Sequence, residues 1–194
     1  YSIGTPTYNL GSSSSSQPLN ARYTSKKSDF QYKASELTAA GMTAGNITSF
    51  ALYLSKNSTR AFQNLQIKMG SSSVSYLVNG SVTVAPVSTV KSLATYNTVN
   101  GWNTFTLDAP YAWDGTSNLV VEICYDNGTS DSANLSDVAV GYSDGGTSSQ
   151  GNMFWQDNIT CSQSYSTITY FPNGVKPVAQ IGMSAAGTPV DSTL

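Results

Sequence analysis

Apolar side chains return at every second position along much of this chain, and that spacing leaves few folds open. Phe50, Leu52 and Leu54 alternate with Ala51 and Tyr53, and Leu65, Ile67 and Met69 alternate with Gln66 and Lys68. Phe105 and Leu107 follow Trp102 with threonines between, and Leu119, Val121, Ile123 and Tyr125 alternate with Val120, Glu122 and Cys124. Successive strand residues point to opposite faces, so each run reads as a strand with a core face, the last covered on both faces. Further runs lie at Ser81–Val84, Asp137–Tyr142, Thr167–Phe171 and Val178–Met183. Asn79-Gly80, Asn100-Gly101, Asp114-Gly115, Asp126-Asn127-Gly128, Asp144-Gly145-Gly146 and Asn173-Gly174 separate them and supply the positive φ of tight turns. Many short strands at this spacing predict an all-β fold, an antiparallel β-sandwich of jelly-roll type.

One short helix is expected at Ser35–Ala40, with Ser35 as its cap, Glu36 at its positive end and Gly41 as its stop. Residues 1–183 read as a single sandwich domain. From Ser184 to Leu194 the alternation lapses and Pro189 appears, so 184–194 is expected to be a tail, a linker or an arm docked on a neighbouring subunit.

Charged residues are 10% of the chain and aromatics 11%, the reverse of a disordered composition. With 31 Ser, 21 Thr and 15 Asn, the chain is hydrated by hydroxyls and amides rather than ions. Histidine is absent, which excludes Ser-His-Asp and Cys-His catalysis and imidazole metal sites. A net charge of −2 gives no electrostatic basis for gripping nucleic acid, and no apolar run reaches the roughly 20 residues of a bilayer span. No membrane insertion is expected. The charges are uneven, however: through Asn97 there are 8 basic and 2 acidic residues, and after it 1 basic and 9 acidic. Either strand pairing interleaves the two signs, or the module is bipolar and associates head to tail.

Cys124 and Cys161 are the two cysteines. An even count in a hydroxyl-rich chain fits one disulfide outside the cytoplasm, the other reading being two buried thiols. Closing that loop would constrain the unfolded chain by about 4 kcal/mol.

Three stretches carry a family resemblance: ASELTAAGMTAGNITSFAL (Ala34–Leu52), IKMG (Ile67–Gly70) and GWNTFTLDAPYAWDGTSNLVVEICYDN (Gly101–Asn127). Together they resemble a β-sandwich module of secreted Bacteroidetes surface proteins, multi-domain chains often exported by type IX secretion. The likeness runs from about Tyr23 to Met183. Such modules carry a second cysteine after an aromatic cluster, as in Met153-Phe154-Trp155…Cys161, and an Arg-Pro pair before the closing strand, where this chain has Lys176-Pro177. The resemblance implies a secreted, extracellular or cell-surface setting and no catalytic motif. It does not identify a ligand.

Candidate sites follow from residue chemistry. Asp108, Asp114 and Glu122 are weighed as hydrolytic carboxylates, with turn-forming for Asp114 and pairing of Glu122 with Lys68 or Arg60 as the plainer roles. A structural Ca2+ is the other use of the acids, with Asp126, Asn127, Asp131 and Asp144 as its oxygen ligands; no other cofactor is implied. The same acids serve equally as caps of solvated turns. Trp102 and Trp113 are read as core. Trp155 with Tyr142 is the candidate glycan platform, its competing role being to pack on the Cys124–Cys161 bridge. Asp131-Ser132-Ala133 and Asp191-Ser192-Thr193 resemble bacterial O-glycosylation sites at Ser132 and Ser192, whereas the six Asn-x-Ser/Thr triplets suit chance in so hydroxylated a chain. The function expected is that of a non-enzymatic extracellular structural or adhesive module, including the repeating subunit of an extracellular filament. Its partners are other copies, neighbouring surface proteins or glycans. The alternative is a carbohydrate-binding accessory domain of a secreted hydrolase.

Overall fold

The computed structural model describes residues 1–4, 8–10, 18–131 and 138–185. In chain order its strands are β1 (Ser2–Ile3), β2 (Tyr8–Leu10), β3 (Ser25–Tyr32), β4 (Gly45–Lys56), β5 (Phe62–Ser72), β6 (Val78–Asn79), β7 (Ser81–Val82) and β8 (Ser88–Tyr96). They continue as β9 (Gly101–Trp113), β10 (Asn118–Asp126), β11 (Val138–Tyr142), β12 (Gln150–Gly151), β13 (Met153–Asp157), β14 (Thr169–Phe171), β15 (Lys176–Pro177) and β16 (Ala179–Ala185). One helix, α1 (Ala34–Ala39), follows β3.

Two antiparallel sheets face each other. The first runs β1-β16-β4-β11-β15, with β9 also on β4 and β2 on β11; the second runs β14-β13-β3-β10-β5-β8. Phe50, Leu52 and Leu54 of β4, Phe105 of β9 and Ile181 of β16 meet Phe30, Leu65, Ile67, Met69, Val121 and Ile123 from the second sheet in one core. The all-β sandwich is therefore as the alternation predicts. Burying such side chains contributes roughly 1.5–3 kcal/mol each.

Part of the outer face of the second sheet is covered as well. A third, three-stranded sheet, β12-β6-β7, lies on its outer side. There Leu77, Val78 and Ala85 pack with Val120 and Phe154 into a small second core. Gly70 is needed for that approach, because a Cβ on it would collide with the Pro86 carbonyl oxygen. This is why β10 is buried along nearly its whole length.

Two expectations are corrected and one open alternative is decided. The helix begins at Ala34 after Lys33, not at Ser35: the Glu36 carboxylate accepts from the Lys33 N–H at 2.8 Å, so an acid reaching back does the capping. β16 continues through Ser184 and Ala185, paired with Asn46 and Gly45, so a boundary at 183 falls inside a strand; 186–194 lie outside the described residues. Of the two readings of the charge asymmetry, interleaving holds. Lys26–Asp157, Lys27–Glu122, Lys33–Asp144, Lys68–Glu122 and Lys91–Asp108 each join a base from the first half to an acid from the second. Antiparallel pairing interleaves the signs.

Candidate functional site

The chemistry-bearing residues gather where the sequence pattern is weakest, on β3. Its sequence, SKKSDFQY, has no clear apolar alternation, yet all eight residues are buried. It lies between β10 and β13. Register sets Asp29 opposite Glu122 on one side and Phe154 on the other, and Glu122 in turn opposite Lys68 of β5. One residue pair along, Lys27 faces Cys124 and Gln156. These side chains point away from the inter-sheet core, so the outer face carries an Asp29–Glu122–Lys68 row beside Lys27.

The connection from β13 to β14 lies over this row, and the Cys124–Cys161 disulfide ties it down across a separation of 37 residues. Lys27 Nζ donates to the Gln163 carbonyl at 3.0 Å and lies 3.4 Å from Glu122 Oε2. Lys68 Nζ donates to the Cys161 carbonyl at 2.9 Å while lying 2.8 Å from Glu122 Oε1 as an ion pair. The Tyr165 hydroxyl donates to Asp29 Oδ1 at 2.6 Å. Asp29 is 0% and Glu122 2% exposed. Burial, with Glu122 adding to it, pushes the Asp29 carboxyl up to about 7, against the pull of Tyr165 and Lys27. Burial and the facing Asp29 push the Tyr165 hydroxyl upward as well. Two carboxyl groups thus lie side by side at this site, and the raised Asp29 carboxyl keeps part of its proton toward neutral pH. Covered by the strap and flanked by two lysines, they have no open approach for a substrate. Sequence reasoning foresaw the Glu122–Lys68 pair but missed Asp29, because β3 did not read as a strand.

Beside the strap, Asn64, Gln66, Lys68, Asp126 and Thr160 line an open polar hollow of about 410 Å3. A second ionic cluster lies at the far end of β3. Lys176, fully buried, sits 2.6 Å from Glu36 Oε2 and 3.1 Å from Asp144 Oδ2, and Lys33 approaches Asp144 Oδ2 at 2.9 Å. On the core side, buried Lys26 pairs with Asp157 at 3.0 Å and lies 5.2 Å from the Trp155 ring. Desolvation lowers the Lys26 amine to about 8, with Asp157 resisting, and burial raises the Asp157 carboxyl.

The candidate cation ligands do not converge. Asp126 pairs with Ser25 at the start of β3, whereas Asp144 binds Lys33 just past its end. Asp126 Oδ1 accepts from Gly128 N, and Asn127 Oδ1 accepts from Gln63 N. The Arg60 guanidinium donates to the Asn127 and Thr129 carbonyls, so these loop oxygens already serve a cation of the chain's own. Asp131 donates its N–H to the Arg22 carbonyl. Among the described residues no three of His, Cys, Asp and Glu gather as metal ligands.

The candidate glycan platform does not form either. Trp155 is 3% exposed and packs in the inter-sheet core against Phe171, its ring centroid 5.3 Å away. It therefore faces away from the disulfide as well as from solvent. Tyr142 is 7% exposed, its hydroxyl donating to Glu36 Oε1 at 3.0 Å. Of the two tryptophans read as core, Trp113 is buried, its indole N–H donating to Ser117 at 2.8 Å. Trp102 is half-buried, packs against the core cluster and meets Tyr53 edge-on across β9 and β4. Asp108 pairs with Lys91, and Asp114 closes its turn by accepting from Thr116 N, Ser117 N and the Ser117 hydroxyl. Ser132 and Ser192 lie outside the described residues. No described helix is long and apolar enough to cross a membrane.

No family model, no curated protein and no solved structure matches the chain.

Proposed function

We propose that this chain is a non-enzymatic structural or adhesive module of a bacterial surface protein, secreted or displayed at the cell surface, of the Bacteroidetes type that its sequence resembles. The carrying observation is how its acids are employed. Glu36, Asp108, Glu122, Asp144 and Asp157 are held by lysines, and Asp114 and Asp126 close turns. The close pair, Asp29 and Glu122, is sealed under a disulfide-bonded strap. Side chains so committed stabilise and orient the sandwich; what remains for solvent is largely hydroxyl and amide, a surface for contact rather than bond-making. The disulfide supports an extracellular setting.

The partners on this reading are other copies or neighbouring surface proteins. In the filament version, residues after Ala185 add to an edge strand of the next copy, as extended segments do when they dock by β-augmentation. Light scattering over a concentration series, for the full chain and for one ending at Ala185, tests it. The filament version predicts concentration-dependent growth for the full chain alone. A strict monomer in both forms would remove that version.

A further inference from the structure

The ionic cluster past the end of β3 brings one amine against two carboxyl groups. Lys176 on β15 lies directly opposite Tyr142 on β11, and Asp144 follows Tyr142 by two residues. Glu36 comes from α1, where its carboxylate accepts from the Lys33 N–H at 2.8 Å and the Tyr142 hydroxyl at 3.0 Å, so its position is fixed. Lys176 Nζ lies 2.6 Å from Glu36 Oε2 and 3.1 Å from Asp144 Oδ2. Asp144 Cγ is therefore within one C–O bond of that second distance, close to where an oriented nucleophile attacks. The Lys176 side chain is 0% and that of Asp144 8% exposed, so water barely competes for either group. The two oxygens of Asp144 are used unequally. Oδ2 also accepts from Asn152 Nδ2 at 2.7 Å and pairs with Lys33 at 2.9 Å. Oδ1 is buried and has no hydrogen-bond partner among the described residues. As a carboxylate, Asp144 carries a buried oxygen that nothing stabilises; as an amide it would lose that oxygen.

We infer that Lys176 and Asp144 form an intramolecular amide bond in the folded chain, with Glu36 carrying the proton. The Lys176 ammonium passes a proton to Glu36 Oε2, and the neutral amine attacks Asp144 Cγ. Lys33 and Asn152 hold the charge on Oδ2 in the tetrahedral intermediate, as donors aimed at a developing oxyanion do. Oδ1 then leaves as water, taking one proton returned by Glu36 and one from the attacking nitrogen. One N–C bond forms and one C–O bond breaks. Ammonium plus carboxylate become amide plus water, with no oxidant or co-reactant. The product suits the site, because its N–H faces Glu36 and its carbonyl keeps Asn152 and Lys33. Neutralising the buried pair also removes two charges whose desolvation is costly. The closed loop spans a separation of 32 residues and overlaps the loop closed by Cys124–Cys161, so this second staple survives reduction. The bond requires no partner, so it stands apart from the adhesive reading.

Intact-mass spectrometry of the full chain, purified folded and then reduced and unfolded, tests it. The mass should fall short of the sequence mass by one water, and a chymotryptic digest should contain one branched peptide joining Asp144 to Lys176. Lys176→Arg keeps the cation without a competent amine, and Glu36→Gln keeps an acceptor for the Lys33 N–H without a proton carrier. Both variants should return to the full sequence mass while keeping the wild-type circular-dichroism spectrum. Where a variant fails to fold, the branched peptide of the wild-type chain still decides. A wild-type chain at full sequence mass, or a branch at any other lysine, overturns the assignment. So does a water loss that persists in Lys176→Arg, which marks a succinimide at an Asp-Gly step such as Asp144-Gly145. An amide that forms undiminished in Glu36→Gln overturns the part given to Glu36.

Discussion

Replacing Asp29 by asparagine probes the strapped row with a sign fixed by its surroundings. The folded chain holds the Asp29 proton up to about pH 7, whereas an ordinary aspartate loses it near 3.8. Burial is the main cause, with Glu122 across the strand pair reinforcing it. The shift is about three units, each about 1.4 kcal/mol, so it contributes on the order of 4 kcal/mol. Because the folded state binds the proton more tightly, that stabilisation is whole below about pH 4. It is lost as pH rises through about 7. Asparagine cannot ionise, and its amide supplies the donor that the protonated carboxyl offers Glu122. Urea unfolding followed by tryptophan emission at pH 4, 5.5, 7 and 8 should show wild-type stability falling and the variant's profile markedly flatter. Asp157, also raised by burial, leaves the variant a smaller slope of the same sign. Equal slopes in the two proteins would refute the reasoning.

Other consequences follow from the same packing. Reducing Cys124–Cys161, or replacing both cysteines by serine, should cost about 4 kcal/mol by loop entropy for a 37-residue separation and release the strap. Hydrogen exchange of residues 158–168 measures that release. Lys26 titrates near 8 when folded and near 10.5 when free, so the unfolded chain binds the extra proton between those values and stability should rise with pH across them. Lys26→Met should abolish the rise in the same urea assay. Gly70→Ala drives a methyl into the Pro86 carbonyl and should destabilise by roughly 1–3 kcal/mol, with residues 73–87 losing exchange protection first.

The strands legible in the sequence are those with one greasy face: β4, β5, β9 and β10 fall where alternate apolar residues put them. β3 was not legible. Its outward positions are Lys27, Asp29 and Gln31, residues that pattern reasoning assigns to solvent, and only cross-strand partners some 40 to 130 residues away make their burial tolerable. A local window carries no trace of such partners. Trp102 is a different case. Asn103, Phe105 and Trp113 face inward at odd positions of β9, so the period turns Trp102 toward Tyr53, yet the large ring still packs against the core. Trp155 inverts that lesson, since its polar, turn-rich neighbourhood hid an inward-facing strand position. Asp126 and Asp144 read as loop oxygens near each other, but β3 holds their loops apart at its two ends.

The central claim is that the buried charges serve the fold while contact is made elsewhere on the surface. The most direct measurement combines light scattering and urea stability on an Asp29→Asn/Glu122→Gln double variant. The account predicts altered stability and a flattened pH profile, with self-association equal to wild type. Unaltered stability with self-association abolished would contradict it.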